Sequence, residues 1–366
     1  MVVDRLRSGA ANHGVHKVID KHGTVYVDNT TLRALASCDT RAVLRHVFDL
    51  VPVDSEERYP LECGIAVHEM MADYLQGKSI EYCLRKYELL YRGQSEDASL
   101  DDPEHPLYRL SFTNTAKILN AWFEEHPLFG FSFSVNPKLT EVGFSVPLSD
   151  ECVCGHAEPD HNDLGCRYRG RCSCSEYHPA FVIWGRADAV VQNNADKSLY
   201  VLDHKTTKQV SPFWVEKFRG DSQMSGYVWA IQKTLGQTIT GVYINAIEFS
   251  KLPSDPVRKC KKHGVVFAEC GPLHMKSQVL IFTRTPEQLE SWRQTAIALA
   301  RRYRNLYAMK NEERGLKELS EVLQQGTFTG DCSFCDFKHF CSAGRPVHYA
   351  SAMLTEKPWR PFPLEE

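Results

Sequence analysis

The sequence lacks any run of about 18 apolar residues, the length a membrane-spanning helix needs. Its first residues, Met1-Val2-Val3-Asp4-Arg5-Leu6-Arg7-Ser8-Gly9, also lack the apolar stretch of a secretory leader. Neither a membrane partner nor a secretion route is therefore expected. An excess of positive charge is missing too: 43 Lys and Arg stand against 46 Asp and Glu, for a net charge of −3. A protein that gripped nucleic acid over its whole surface would be basic, so any such contact must come from a local groove. Cysteine is not scarce, but its arrangement excludes a disulfide framework. Six of the 13 cysteines fall in the Cys-x-Cys pairs Cys152/Cys154 and Cys172/Cys174 and the Cys-x-x-Cys pair Cys332/Cys335, a grouping that speaks for metals rather than disulfides. At 366 residues and 43% hydrophobic, the chain is long enough for one large domain or two ordinary ones.

The most organised stretch runs from Phe181 to Tyr227. Two apolar runs, Phe181 to Val191 and Leu199 to Leu202, flank the polar segment Gln192-Asn193-Asn194-Ala195-Asp196-Lys197, which reads as a β-hairpin. With Ala195-Asp196 as a two-residue loop, Asp188 faces Asp203 and Arg186 faces Lys205 on the same side of the pair. Two carboxylates about 5 Å apart repel each other unless a cation lies between them, and a divalent metal is the economical candidate. Downstream, Gln223 and Tyr227 are spaced i,i+4, which puts both on one helix face.

The rest of the chain reads as a mixture of helices and strands. Residues 1–25 are polar and form an expected disordered lead-in. Thr30-Thr31 offers an N-cap to a helical run through Leu32, Leu35, Cys38, Val43, Leu44 and Val47. Leu61 to Leu75 is an amphipathic helix carrying Gly64 and His68 on one face, and Leu107 to Trp122 a further helix. A strand, Leu139 to Val146, carries Glu141. Pro212 to Leu235 reads as one helix stopped by Gly236, followed by strands Gly241 to Ile247 and Ser277 to Phe282. Thr285-Pro286-Glu287-Gln288 is a capping box opening a long helix.

Residues 151–179 break this pattern. Cys152, Cys154, His156, His161, Cys166, Cys172, Cys174 and His178 crowd a segment with few apolar groups, which cannot build a core of its own. A tetrahedral Zn²⁺ would supply the missing folding energy, held by four of Cys152, Cys154, His161, Cys166, Cys172 and Cys174. Such a closed site scaffolds; it has no open position for catalysis. Near the C-terminus, Cys332, Cys335 and Cys341 present three thiolates that need a fourth ligand. A [4Fe–4S] cluster usually takes four cysteines, and a Cys₄ zinc site is the other possibility.

Together these residues resemble the PD-(D/E)XK nuclease superfamily. Asp188 and Asp203-His204-Lys205 match its acid and acid-x-Lys, and Gly64-x-x-x-His68 with Gln223-x-x-x-Tyr227 resemble its RecB-type branch. Cys38 with Cys332, Cys335 and Cys341 is similar to the one-plus-three ligand set of the iron–sulfur RecB-type nucleases, including AddB and the CRISPR-associated exonucleases. The resemblance implies an α/β, restriction-endonuclease-like fold: a central mixed sheet flanked by helices, spanning residues 26–345, with an iron–sulfur staple and the 151–179 insertion, followed by a C-terminal tail at 346–366. It implies that His68, Asp188 and Asp203 hold Mg²⁺ or Mn²⁺, that Lys205 orients the attacking water, and that Gln223 and Tyr227 fix the metal's outer shell and the substrate strand. The implied activity is a DNA exonuclease on single-stranded ends, in recombination, repair or phage DNA processing, in the cytoplasm of a bacterial or phage-infected bacterial cell. The reading from another class is a catalytically silent DNA-binding scaffold held by the two metal staples.

Overall fold

The computed structural model describes residues 19–53, 59–92, 98–102, 104–126, 132–162, 165–167, 174, 176–250, 259, 264–266, 277–311, 332, 335–344 and 350–357. It begins with strand β1 (Val25–Val27), helix α1 (Asn29–Ser37) and a short helix α2 (Asp39–Ala42) that runs on into a π-helical turn, Val43–Val47. Strand β2 (Leu50–Pro52) and helices α3 (Tyr59–Leu75), α4 (Ile80–Arg92) and α5 (Phe112–Glu125) follow. Next come β3 (Phe133–Pro147), the short β4 (His161–Asn162) and β5 (Gly165–Cys166) of the insertion, then β6 (Phe181–Asn193) and β7 (Leu199–Thr207). Helices α6 (Pro212–Glu216) and α7 (Ser222–Leu235), strands β8 (Ile239–Glu248) and β9 (Ser277–Thr283), and the long helix α8 (Pro286–Asn311) complete the main body. Helices α9 (Lys338–Ser342) and α10 (Ala350–Met353) lead to β10 (Leu354–Glu356).

Six strands form one mixed sheet. Its path is β1-β6-β7-β8-β9, with β3 also on β6. β7 and β8 run parallel with α6 and α7 between them, while β3 and β7 are antiparallel to β6, and β9 is antiparallel to β8. Pairing with β3 occupies one edge of β6 from Val182 to Asn193. The other edge is shared by β1, at Phe181 to Ile183, and β7, at Ala189 to Gln192. The stretch 184–188 is left between them without a strand partner on that edge. A sheet with a gap exposes backbone and side chains that a full ladder would cover, and Asp188 stands at the end of this one.

Several expected elements shift. The first helix is capped by Asp28, whose carboxylate accepts the Thr31 N–H at 2.6 Å, and not by Thr30-Thr31. The run expected to continue through Cys38 breaks there: Cys38 is extended, at φ −162° and ψ 121°, and the helix restarts at Asp39. The single helix expected from Pro212 to Leu235 is also divided. Asp221 caps α7 by accepting the Gln223 and Met224 N–H groups, which only a residue outside the helix can do. The buried Arg284 fixes that break, donating to Phe218 O at 2.8 Å and Ser225 Oγ at 3.0 Å. Gly236 ends α7 in the left-handed region at φ 65°, as expected of a C-terminal glycine.

The largest core lies between the sheet and helices α1, α7 and α8, and includes Leu32, Leu35, Val190, Val201, Val228, Ile231, Trp292 and Ala296. Each of those larger aliphatic side chains contributes about 1.5–3 kcal/mol on burial. Gly226 lets the three helices meet: a Cβ there would stand 2.4 Å from Asn29 Oδ1 and 2.9 Å from Trp292 Cζ2. A second core, under α3, α4 and α5, gathers Met70, Tyr87, Tyr91 and Trp122 around Val67, one residue before His68. The segment expected as a tail reaches back into the body, because β10 pairs with β2 and Leu354 packs with Leu44, Phe337 and Phe340.

Candidate functional site

The hairpin register is as the sequence implied. Ala189 pairs with Leu202 and Gln192 with Leu199, which continues to Asp188 opposite Asp203. The loop is longer than two residues: Asn193 and Ser198 close it, and Lys197, at φ 62°, donates its N–H to Asn193 O. An even number of loop residues leaves the register unchanged. The ladder itself stops at Ala189–Leu202, however, so Arg186 does not face Lys205 across paired strands. Beyond the ladder the Asp188 carboxylate takes over, accepting the backbone N–H of His204 at 2.7 Å.

Helix α3 brings His68 to this point, with Nδ1 3.1 Å from Asp188 Oδ2. On β7, Lys205 Nζ lies 3.0 and 2.9 Å from the two oxygens of Asp203. The same ammonium reaches Gln223 Oε1 at 3.4 Å, and Gln223 Nε2 donates to Tyr227 Oη at 2.8 Å. Six residues expected from the sequence, His68, Asp188, Asp203, Lys205, Gln223 and Tyr227, thus form one continuous polar cluster from α3 across β6 and β7 to α7.

Glu141 joins them. It falls opposite Asp188 between the Thr140–Ala189 and Val142–Ala187 pairs, just past the register shift between Val135 and Thr140, with φ at 51°. Arg186 Nε holds its carboxylate at 2.7 Å. Two further contributors had no signal in the sequence. Asn245 on β8 contacts His204 Nδ1 at 2.8 Å, and Glu69, next to His68, lies 3.8 Å from Arg186.

The environments push the site's groups in different directions. Burial opposes ionisation of Asp188, but the His68 imidazole and the His204 N–H outweigh it and hold the carboxyl below the usual range. Burial raises Asp203, which is also repelled by Asp188; Lys205 offsets only part of this. Burial similarly lifts Glu141 to about 7, against the pull of Arg186. His68 is raised, because Asp188 overcomes the cost of burying its charge, and Lys205 is raised by Asp203 in the same way. His204 is buried and drops to about 4, so it is neutral near pH 7. A concentration of shifted groups at the end of a gap in a sheet is what an active site produces.

A sequence profile of the PD-(D/E)XK nuclease superfamily matches residues 29–342. The chain belongs to the PD-(D/E)XK nuclease superfamily. No curated protein matches its sequence. Its central mixed sheet flanked by helices is the restriction-endonuclease-like architecture expected of that superfamily, and the family makes it a metal-dependent nuclease with DNA as its substrate class. Among the described residues no helix is long and apolar enough to cross a membrane.

The donor set of this nuclease fits a hard divalent cation. Asp203 is 1% exposed, and its Oδ2 receives no hydrogen bond although the Lys205 ammonium is 2.9 Å away as an ion pair. The single ammonium offsets only part of the cost of burying the Asp188 and Asp203 carboxylates together, and a divalent cation would offset the rest. Asp188 and His68 stand beside Asp203, and oxygen with imidazole suits Mg²⁺ or Mn²⁺ better than a soft metal.

The insertion of the nuclease selects among its candidate ligands. Ligand atoms of Cys152, Cys154, His161 and Cys174 all lie within 4.8 Å of one another. Cys166 groups instead with Cys154 and with His156, a residue not expected as a ligand. Cys172 lies outside the described residues. Among the described residues, 149–179 place no side chain in the hydrophobic cores; Leu148 and Ala180 bracket the segment. The remaining cysteines approach from both ends of the domain. Cys335 and Cys341 pack on the Leu44, Phe337, Phe340 and Leu354 cluster. Burial pushes the Cys335 thiol up, with Cys38 close enough to add to the effect and Arg41 to oppose it.

Proposed function

We propose that the chain is a metal-dependent exonuclease acting on single-stranded DNA ends in recombination, repair or phage DNA processing. The observation that carries this reading is the unbroken polar chain from Asp203 through Lys205 and Gln223 to Tyr227, beside Asp188 and His68. His68, Asp188, Asp203 and the His204 carbonyl would hold Mg²⁺ or Mn²⁺, with Glu141 beside them. When bound, such an ion polarises the scissile phosphate and lowers the pKa of a water ligand. Lys205, held on both sides by Asp203 and Gln223, orients the attacking water and offsets charge that develops on the phosphate. Gln223 fixes the direction of the ammonium, and Tyr227 fixes Gln223.

Two features support a single strand as the substrate. Phe213 is 88% exposed on α6, and Lys217, one helical turn on, lies 4.8 Å from the Trp214 ring centroid and within electrostatic reach of Asp203 and Lys205. An aromatic surface beside a cation is a sequence-tolerant platform for unpaired bases. Cys38, Cys332, Cys335 and Cys341 would carry the [4Fe–4S] cluster that joins the two ends of the domain. Cys152, Cys154, His161 and Cys174 would hold Zn²⁺. The test is a time course on end-labelled single- and double-stranded DNA with Mg²⁺, Mn²⁺ or EDTA. Mononucleotide release from single strands, abolished by EDTA and by Asp203→Ala, is the expected result; binding without cleavage under every condition would overturn it in favour of a silent scaffold.

A further inference from the structure

The insertion carries more ligands than one zinc ion can use. Cys152, Cys154, His161 and Cys174 complete a four-coordinate set, and Cys154, His156 and Cys166 form a second group around the same thiol. Cys154 Sγ is 3.4 Å from His161 Nε2 and 3.4 Å from His156 Nδ1. His156 Nδ1 is in turn 3.3 Å from Cys166 Sγ, while Cys152 Sγ is 3.6 Å from Cys174 Sγ. With metal–sulfur bonds near 2.3 Å and metal–nitrogen bonds near 2.0 Å, the edges of a tetrahedron around one zinc are roughly 3.5–3.8 Å. These four separations are close to those of atoms that share an ion, and the remaining ligand atoms of each group lie within 4.8 Å of one another.

Cys174 Sγ lies 2.8 Å from Glu176 O as a thiol donor, a proton that loading would displace, while the other hydrogen bonds suit metal ligands. His161 Nδ1 lies 3.0 Å from Ala157 O, so its proton belongs on that nitrogen and the Nε2 lone pair faces Cys154. The His178 N–H reaches Cys152 Sγ at 3.4 Å, a donor suited to a thiolate. Cys152 and Cys166 are both fully buried although none of the described residues from 149 to 179 belongs to a hydrophobic core. Reduced, unmetallated thiols would give such a segment little reason to close.

We infer that the insertion binds two zinc ions, with the Cys154 thiolate bridging a Cys152–Cys154–His161–Cys174 site to a second site made by Cys154, His156 and Cys166. The inference rests on the zinc reading of the first site and extends it. The four thiolates balance the charge of two divalent ions, and loading releases their four protons to solvent while both imidazoles bind neutral. Among the described residues the second site has three protein ligands, leaving a position for a water or another donor. Both ions serve the fold: the pair replaces the hydrophobic core that this segment lacks, and the Glu151–Arg301 ion pair ties it to α8.

The test uses the full-length protein purified without chelators, with zinc and iron counted separately by elemental analysis and native mass spectrometry. Two zinc ions per chain are expected in the wild type. His156→Ala and Cys166→Ser should each retain one, because the first site keeps all four ligands. Cys154→Ser should retain fewer than one, since both sites lose a ligand. Cadmium-113 substitution should give two resonances coupled through the shared sulfur. A wild-type protein with one zinc, unchanged by His156→Ala, would overturn the bridged pair and leave the single site standing. A wild-type protein with no zinc would overturn both. Should the variants fail to fold, the wild-type stoichiometry and the cadmium spectrum decide alone.

Discussion

The Asp188 carboxylate, one residue beyond the last β6–β7 pair of Ala189 with Leu202, accepts the backbone N–H of His204, two residues beyond it, at 2.7 Å. A side chain thus replaces the ladder where the ladder stops, and it fixes the backbone that presents Asp203 and Lys205. Asp188 therefore has two tasks that substitution can separate. Asp188→Asn keeps an oxygen for the His204 N–H but loses the charge, so DNA cleavage should fall by about 10³-fold with little change in melting temperature. Asp188→Ala also orphans the N–H, which should cost a further 1–3 kcal/mol, or roughly, several degrees. Thermal melts and initial cleavage rates of both variants check this. Near wild-type cleavage by Asp188→Asn would remove Asp188 from the site.

Gln223 touches no atom of the carboxylate pair; it acts through Lys205. Its loss should lower kcat and leave KM for DNA nearly unchanged, because the ammonium is misdirected rather than removed. We expect about 10²-fold for Gln223→Ala and about 10-fold for Tyr227→Phe, which removes only the hydroxyl that orients Gln223. Single-turnover rates at saturating DNA separate these from binding. A rise in KM with kcat intact would place Gln223 in substrate binding instead.

Much of this site was legible before the structure. The hairpin register followed from apolar periodicity and a polar turn, and it survived a wrong loop length because two and four loop residues pair the same strand residues. The i,i+4 spacing of Gln223 and Tyr227 survived the division of their helix, since both lie after the Asp221 cap. What escaped depended on tertiary contacts. Nothing local marks 184–188 as a gap, because it arises from β1 and β7 sharing one edge of β6. The break at Cys38 escaped because Asp39 is compatible with a continuing helix; α1 ends where Cys38 turns extended, its N–H still bonded to Ala34 O. His156 was overlooked as a ligand because sequence spacing favoured the symmetric Cys-x-Cys pairs over a thiol shared between two groups.

His46 provides a pH test independent of the metals. It is 3% exposed, its Nδ1 is 3.3 Å from Thr31 Oγ1, and Tyr303 donates to its carbonyl. Burial, partly opposed by Asp28 and reinforced by Arg45 and Arg41, lowers its pKa to about 4. The folded pKa lies below the unfolded value near 6.5, so the neutral ring's contribution is complete above that pH. It is lost as pH falls from about 6.5 toward 4, with a ceiling of about 3 kcal/mol. His46→Asn, which keeps a polar atom near the Nδ1 position, should flatten the stability profile in that window and leave it unchanged above pH 7. Urea melts from pH 4 to 8 supply the comparison; parallel profiles for the two proteins would exclude His46 as the titrating group.

The last expectation concerns the two ends of the chain. If Cys38 is the fourth cluster ligand, Cys38→Ala should lose iron and sulfide as completely as Cys335→Ala, although the two positions lie on opposite sides of the whole sheet in sequence. The C-terminal segment should nevertheless stay attached, because β2 and β10 pair and Lys357 donates its N–H to Asp49 O at 2.7 Å without any help from a cluster. The loss should therefore appear as a lower melting temperature and a bleached visible band, with the far-ultraviolet circular dichroism preserved. Cys63→Ala and Cys83→Ala are the controls. Both thiols are buried in or beside the α3–α5 core, so each substitution should cost about 1 kcal/mol of packing and no iron. Anaerobically purified Cys38→Ala that keeps its full iron and colour would assign the cluster to the C-terminal cysteines alone, and the Cys38–Cys335 proximity would then be a matter of packing only.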